Sequence, residues 1–102
     1  MKPVMKTKNM REATWAPCHF VLHGRLSKAE RDSLPATAFA FAIARKEPMI
    51  DAAHVRNAMA RFDQVKDVTD SERELAFSNI QKAAKHFEIE MVETDWHQFG
   101  TR

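Results

Sequence analysis

Apolar and polar positions alternate most regularly between Glu47 and Val65. Val55, Ala58, Met59 and Phe62 recur at i, i+3, i+4 and i+7, which at 100° per residue is one face of a helix. Asp51 stands just before them, where its carboxylate can accept the free N–H groups of a first turn, so a central helix is expected over 51–64. His54, Asn57 and Arg61 edge its apolar stripe on one side, and Arg56 and Asp63 lie on the other. A second stripe of Ala76, Phe77, Ile80, Ala83, Ala84 and Phe87 predicts a longer helix over 70–87, about 27 Å long at 1.5 Å per residue. Thr69 with Glu72, and Ser71 with Glu74, each offer a capping box at its start. The short linker 66–68 between the two stripes predicts a helical hairpin. Phe62 lies mid-stripe and is expected to insert against Ile80, Ala84 or Phe87.

The flanks are more irregular. Ser27-Lys28-Ala29-Glu30 is a further capping box, opening a short helix that Pro35 stops. Phe39, Phe41 and Ile43 fall at period two, which points to an extended segment with three large side chains on one face. The alanines between them favour helix instead. Beyond the long helix, Ile89, Met91 and Val92 read as extended. Thr94-Asp95-Trp96 can open a final turn that folds Trp96 and Phe99 onto the core. The fold expected is mainly α: a three-helix domain built on a helical hairpin, with an extended segment before the central helix and a short C-terminal turn. Residues 1–21 read as a basic, flexible N-terminal arm, pinned by Trp15 through the large area an indole buries. Residues 22–102 read as a single helical domain.

Composition narrows the function classes. A chain of 102 residues is one domain by size, and no apolar run approaches the ~20 residues of a membrane helix. The single Cys18 cannot form an internal disulfide, which favours a reducing cytoplasm. Two glycines leave no phosphate-cradling glycine loop and little room for multiple tight hairpins. The charge is uneven. Residues 1–31 carry seven Lys/Arg against two Asp/Glu, residues 32–65 carry four of each, and residues 66–102 carry five against eight. A basic arm and an acidic tail-half can meet nucleic acid, another copy of the chain, or each other.

Three stretches carry a resemblance: LHGRLSKAERDSLPATAFAF, ARKEPMIDAAHVRNAMARFDQV and DSERELAFSNIQKAAKHFEIE, with the later Trp96. Over 22–100 the chain resembles a family of small bacterial, and phage-associated, proteins catalogued as a domain of unknown function. The pattern RKEP…HVRNA…RFDQV carries most of its specificity. The chain departs from it at Ala42, where family members usually have proline. The resemblance implies one complete unit over 22–100 and no assigned activity.

The candidate chemistry is sparse. Cys18, His19 and His23 cluster in sequence, but no second Cys/His pair completes a tetrahedral set, so neither metal nor cofactor is expected. His54 has Asp51 three residues back as an orienting carboxylate, yet no nucleophile is tied to it by motif. The alternative for His54 is a half-buried side chain bonded to a backbone carbonyl. No catalytic set is assembled, so the function expected is a non-enzymatic binding or protein-interaction module in the cytoplasm, with a protein partner or self-association and no membrane. The candidate binding residues are Arg45, Lys46, His54, Arg56, Asn57 and Arg61. The runner-up is nucleic-acid binding through the basic arm and the cluster of Arg45, Lys46, Arg56 and Arg61.

Overall fold

The computed structural model describes residues 12–17 and 26–100. In chain order they form helix α1 (Lys28–Asp32), a 3-10 turn (Ala36–Ala38), strands β1 (Phe39–Phe41) and β2 (Lys46–Pro48), and helix α2 (Ala52–Arg61). A 3-10 turn (Phe62–Gln64), helix α3 (Asp70–His86) and a last 3-10 turn (Trp96–Gly100) follow. The expected mainly α three-helix domain is therefore corrected to a small mixed α/β domain. It combines three helices with a two-stranded antiparallel sheet, in which Phe39 opposes Pro48 and Phe41 opposes Lys46.

The helix starts follow local chemistry. Ser27 and Glu30 close their capping box at α1, and Asp51 caps α2 by accepting from the His54 N–H. At α3 the box that forms is Thr69 with Glu72, which satisfies two otherwise free backbone donors reciprocally. The far end of α3 is a Schellman motif. Ile89 N–H reaches Ala84 O at 2.8 Å and Glu88 N–H reaches Lys85 O at 3.2 Å, with Glu88 in the left-handed region at φ 58°. Glycine normally fills that position because it has no Cβ to clash.

Between α1 and α2 the extended residues form a hairpin rather than one run laid across the helices. Residues 42–45 reverse the chain, and Arg45 supplies the left-handed position at φ 56°. Period two breaks down here for a physical reason. Phe39, Ala40 and Phe41 are all buried, whereas Ile43, in the turn, is 76% exposed. Phe41 joins the main core, while Phe39 closes a smaller cluster with Leu34 and Ala38.

The helical hairpin is also corrected. α2 and α3 touch, but α3 packs most extensively on β1. The stripes themselves hold: Val55, Ala58, Ala76, Phe77, Ile80, Ala83 and Ala84 are buried. Phe62 is buried too, but its ring meets Phe99 at 4.9 Å, Phe41 at 5.5 Å and Trp96 at 6.1 Å. Phe87 instead faces Trp15, 5.9 Å between ring centroids. The C-terminal turn thus folds Phe99 into the core as expected. Gln98 Oε1 closes that turn by accepting the N–H groups of Thr94 and Asp95.

Asn79, wholly buried on α3, ties the N-terminal segment to the sheet. Its Oδ1 accepts the backbone N–H of Thr14 at 2.7 Å and of Trp15 at 2.8 Å. Its Nδ2 donates to Ala40 O at 2.8 Å and to Thr14 Oγ1 at 3.2 Å. Trp15, 1% exposed, completes the tie by donating from Nε1 to Met49 O at 3.1 Å. No helix among the described residues is long and apolar enough to cross a membrane.

Candidate functional site

The cap at Asp51 sets the register of α2, and that register sorts its side chains. With Val55, Ala58 and Phe62 turned into the core, His54, Asn57 and Arg61 project at i, i+3 and i+7 on the neighbouring face. They line a cleft of about 510 Å³, together with Glu47 and Pro48 of β2 and with Leu26 and Arg31 from the α1 segment. A second hollow of about 430 Å³ shares Arg31, Glu47 and Arg61 and runs on to Lys46, Gln64 and Lys66. The two form one trough. Its lining carries four cations, Arg31, Lys46, Arg61 and Lys66, against a single acid, Glu47.

Glu47 is the strained member. It sits inside β2 at φ 59° and directly before Pro48, although a residue preceding proline prefers extended backbone. Non-glycine residues in this region cost on the order of 1–3 kcal/mol. Burial pushes its carboxyl above the usual carboxylate range, against the opposing pull of Arg61, Arg31 and His54.

At the other end of the cleft, His54 Nδ1 lies 2.7 Å from Asp51 Oδ1, and the same oxygen accepts the His54 N–H at 2.8 Å. His54 is therefore held by a carboxylate and not by a backbone carbonyl. Burial raises the Asp51 carboxyl, but the two His54 bonds, the charge of His54 and a further bond from the Ala53 N–H together outweigh it and leave the group below its ordinary range. An imidazole that donates from Nδ1 to a carboxylate has a fixed tautomer and keeps Nε2 as an acceptor. None of the residues lining the cleft carries a hydroxyl or thiol, so this oriented histidine has no nucleophile to activate there.

The six sequence-derived residues divide. Lys46, His54, Asn57 and Arg61 meet in the trough. Lys46 sits at its far end, donating from Nζ to Lys66 O at 3.0 Å. Arg45 does not join them. Its guanidinium donates to the carbonyls of Leu34 (2.9 Å), Arg31 (3.3 Å) and Asp32 (3.3 Å) and lies 4.7 Å above the Phe39 ring. It thereby satisfies the open C-terminal end of α1. Arg56 lines a different groove, of about 500 Å³, with Met59, Ile89, Glu90 and Glu93. The proposed cluster of Arg45, Lys46, Arg56 and Arg61 therefore does not converge.

Three charged trough residues escaped the sequence reading: Arg31, Glu47 and Lys66. Only the Glu47–Pro48 pair carried a local signal. Among the described residues no group of three or more His, Cys, Asp or Glu is placed to hold a metal ion. Cys18, His19 and His23 lie outside the described residues.

Comparison with curated proteins and with solved structures gave no match. A family model does match, over residues 26–94, about two thirds of the chain. That stretch begins at Leu26, on the lip of the cleft, and contains every residue that lines the trough. The chain belongs to this family, a family of unknown function designated DUF6582.

Proposed function

We propose that this domain is a non-enzymatic binding module of the cytoplasm that holds a protein partner through the trough between α1, β2 and α2. One observation carries the reading: polar side chains from three separate segments converge on the trough, and two of them, Asn57 and Arg61, have no hydrogen-bond partner within the fold. The side chains of Asn57 and Arg61, both exposed on the well-capped α2, form no hydrogen bond and no ion pair within 4 Å with other described residues, and Arg61 acts on Glu47 only through its charge. Arg45 and Arg73, by contrast, engage their guanidinium groups with backbone carbonyls. Arg73 donates to Phe62 O and Val65 O.

The line of Arg31, Arg61, Lys46 and Lys66 also favours a second reading, in which the trough follows a nucleic-acid backbone. Phosphate contacts of that kind make affinity fall steeply with salt. The two readings separate in one experiment. Tagged full-length protein and its Asn57→Ala/Arg61→Ala variant are purified from the native cell, with and without nuclease. A defined protein retained by the wild type, lost by the variant and resistant to nuclease supports the binding module. Nuclease-sensitive retention supports the nucleic-acid reading. Equal retention by wild type and variant removes the trough from both. Turnover of a co-purified small molecule that disappears in His54→Ala contradicts the non-enzymatic assignment.

A further inference from the structure

The chemistry of the trough narrows what a partner must present to it. The four Lys and Arg side chains and the one carboxylate of the lining sum to a net charge of about +3. A single carboxylate ligand would neutralise a minority of that charge. A phosphate monoester carries about −1.5 to −2 and presents three strong acceptor oxygens.

The donors are of the matching kind. Arg31 and Arg61 come from different helices and line both halves of the trough. Arg31 donates one Nη2–H to Arg45 O at 3.3 Å, which leaves the rest of its guanidinium donors for a ligand. Guanidinium groups recognise phosphate with paired, charge-assisted hydrogen bonds. Asn57 adds a neutral amide donor one turn before Arg61. Glu47 is already among these groups, close enough for Arg61, Arg31 and His54 to act on its carboxyl. In the free protein it stands where an anionic ligand would stand, held there by a backbone conformation that non-glycine residues avoid.

We propose that the trough binds a phosphate monoester group between Arg31 and Arg61, with Asn57 as an additional donor and Glu47 as a built-in competitor for the same cations. This deepens the binding-module reading and rests on it. The ester has two possible sources, a phosphorylated residue of a protein partner or a free phosphorylated small molecule, and the chemistry of recognition is common to both.

The test is isothermal titration of the full chain with four probes. They are a phosphoserine heptapeptide, the same peptide with glutamate at that position, the same peptide with serine, and inorganic phosphate. The phosphopeptide is expected to bind at least about tenfold more tightly than the glutamate peptide, since charge-assisted bonds to a dianion are the stronger set. Arg61→Ala and Arg31→Ala should each weaken it about tenfold, the scale of one lost charge-assisted bond. Glu47→Gln should tighten it severalfold by removing the competitor. Lys82→Ala, an exposed change on α3 outside the trough, serves as the charge control and should leave affinity unchanged. If inorganic phosphate competes fully and the peptide adds no affinity over it, the source is a small molecule.

Three results would overturn the proposal. They are equal affinity for the phosphoserine and glutamate peptides, loss of affinity in Lys82→Ala matching that in Arg61→Ala, and weaker binding in Glu47→Gln, which would make Glu47 a contact for a cation. Circular dichroism of each variant separates loss of binding from loss of fold. If no probe binds but Asn57→Ala/Arg61→Ala still releases a native protein partner, the phosphate inference fails while the binding-module reading stands.

Discussion

Asn79 shows what a single residue contributes here. Its amide uses both ends, accepting from Thr14 and Trp15 and donating to Ala40 O, so one buried side chain joins the N-terminal segment, α3 and β1. Asn79→Leu would leave the Trp15 N–H and the Ala40 carbonyl buried without partners, at about 1–3 kcal/mol each. Urea unfolding should therefore show a loss of about 3 kcal/mol, and a loss under about 1 kcal/mol would remove Asn79 from this role. The apolar stripe around it was legible, since Ala76, Phe77 and Ile80 follow helical spacing. Asn79 was not, because a polar residue beside a stripe looks solvated and its partners are 64 and 65 residues away in sequence. Glu47 makes a second prediction at this scale. Its folded carboxyl titrates above the ordinary range because burial disfavours the charge. Between the unfolded and folded values the native state binds the extra proton, so stability falls as pH rises through that window. Glu47→Gln should accordingly be more stable than wild type at pH 7, with the difference vanishing below the ordinary glutamate value. A gap that persists unchanged in acid contradicts the assignment.

Elements were legible where their signals are local. The three helix starts were marked by side chains that reach only three residues along the chain, Ser27 with Glu30, Asp51 with the His54 N–H, and Thr69 with Glu72. The β-hairpin was not legible. Hairpin turns advertise themselves through Gly, Asn or Asp at left-handed positions, and this one places Arg45 there. Its stabilisation comes from outside the turn, through the bonds of Arg45 to the end of α1 and its seat over Phe39. Without that turn signal, Phe39, Phe41 and Ile43 read as one face of one segment. The end of α3 follows the same rule with a different residue. Glu88 holds the left-handed position of the Schellman motif, where a side chain costs about 1–2 kcal/mol that glycine does not. Glu88→Gly should therefore raise stability by up to about 1 kcal/mol after its greater unfolded-state entropy is deducted. A destabilised variant in urea unfolding would show that Glu88 makes contacts that outweigh its backbone cost.

At the scale of the molecule, the trough exists because the β-hairpin brings β2 beside α2 while Arg45 anchors α1 to the same hairpin. The sequence marked the α2 side through the edge residues His54, Asn57 and Arg61. It gave no sign that Arg31 would join them, since that depends on the hairpin. The same topology splits the cationic cluster read from the sequence, sending Arg45 into structural work and Arg56 to a separate groove with Glu90 and Glu93. On the proposed reading, anion recognition belongs to the trough and not to the basic surface at large. The most direct measurement is a two-dimensional 1H–15N spectrum of the labelled protein, titrated with the phosphoserine peptide at physiological ionic strength. The account predicts saturable shifts concentrated at the Asn57 side-chain amide, the Arg31 and Arg61 Nε–H signals and the Glu47 backbone amide, with Arg56 and Lys82 unmoved. Shifts spread evenly over every Lys and Arg, or gathered around Arg56, would contradict it.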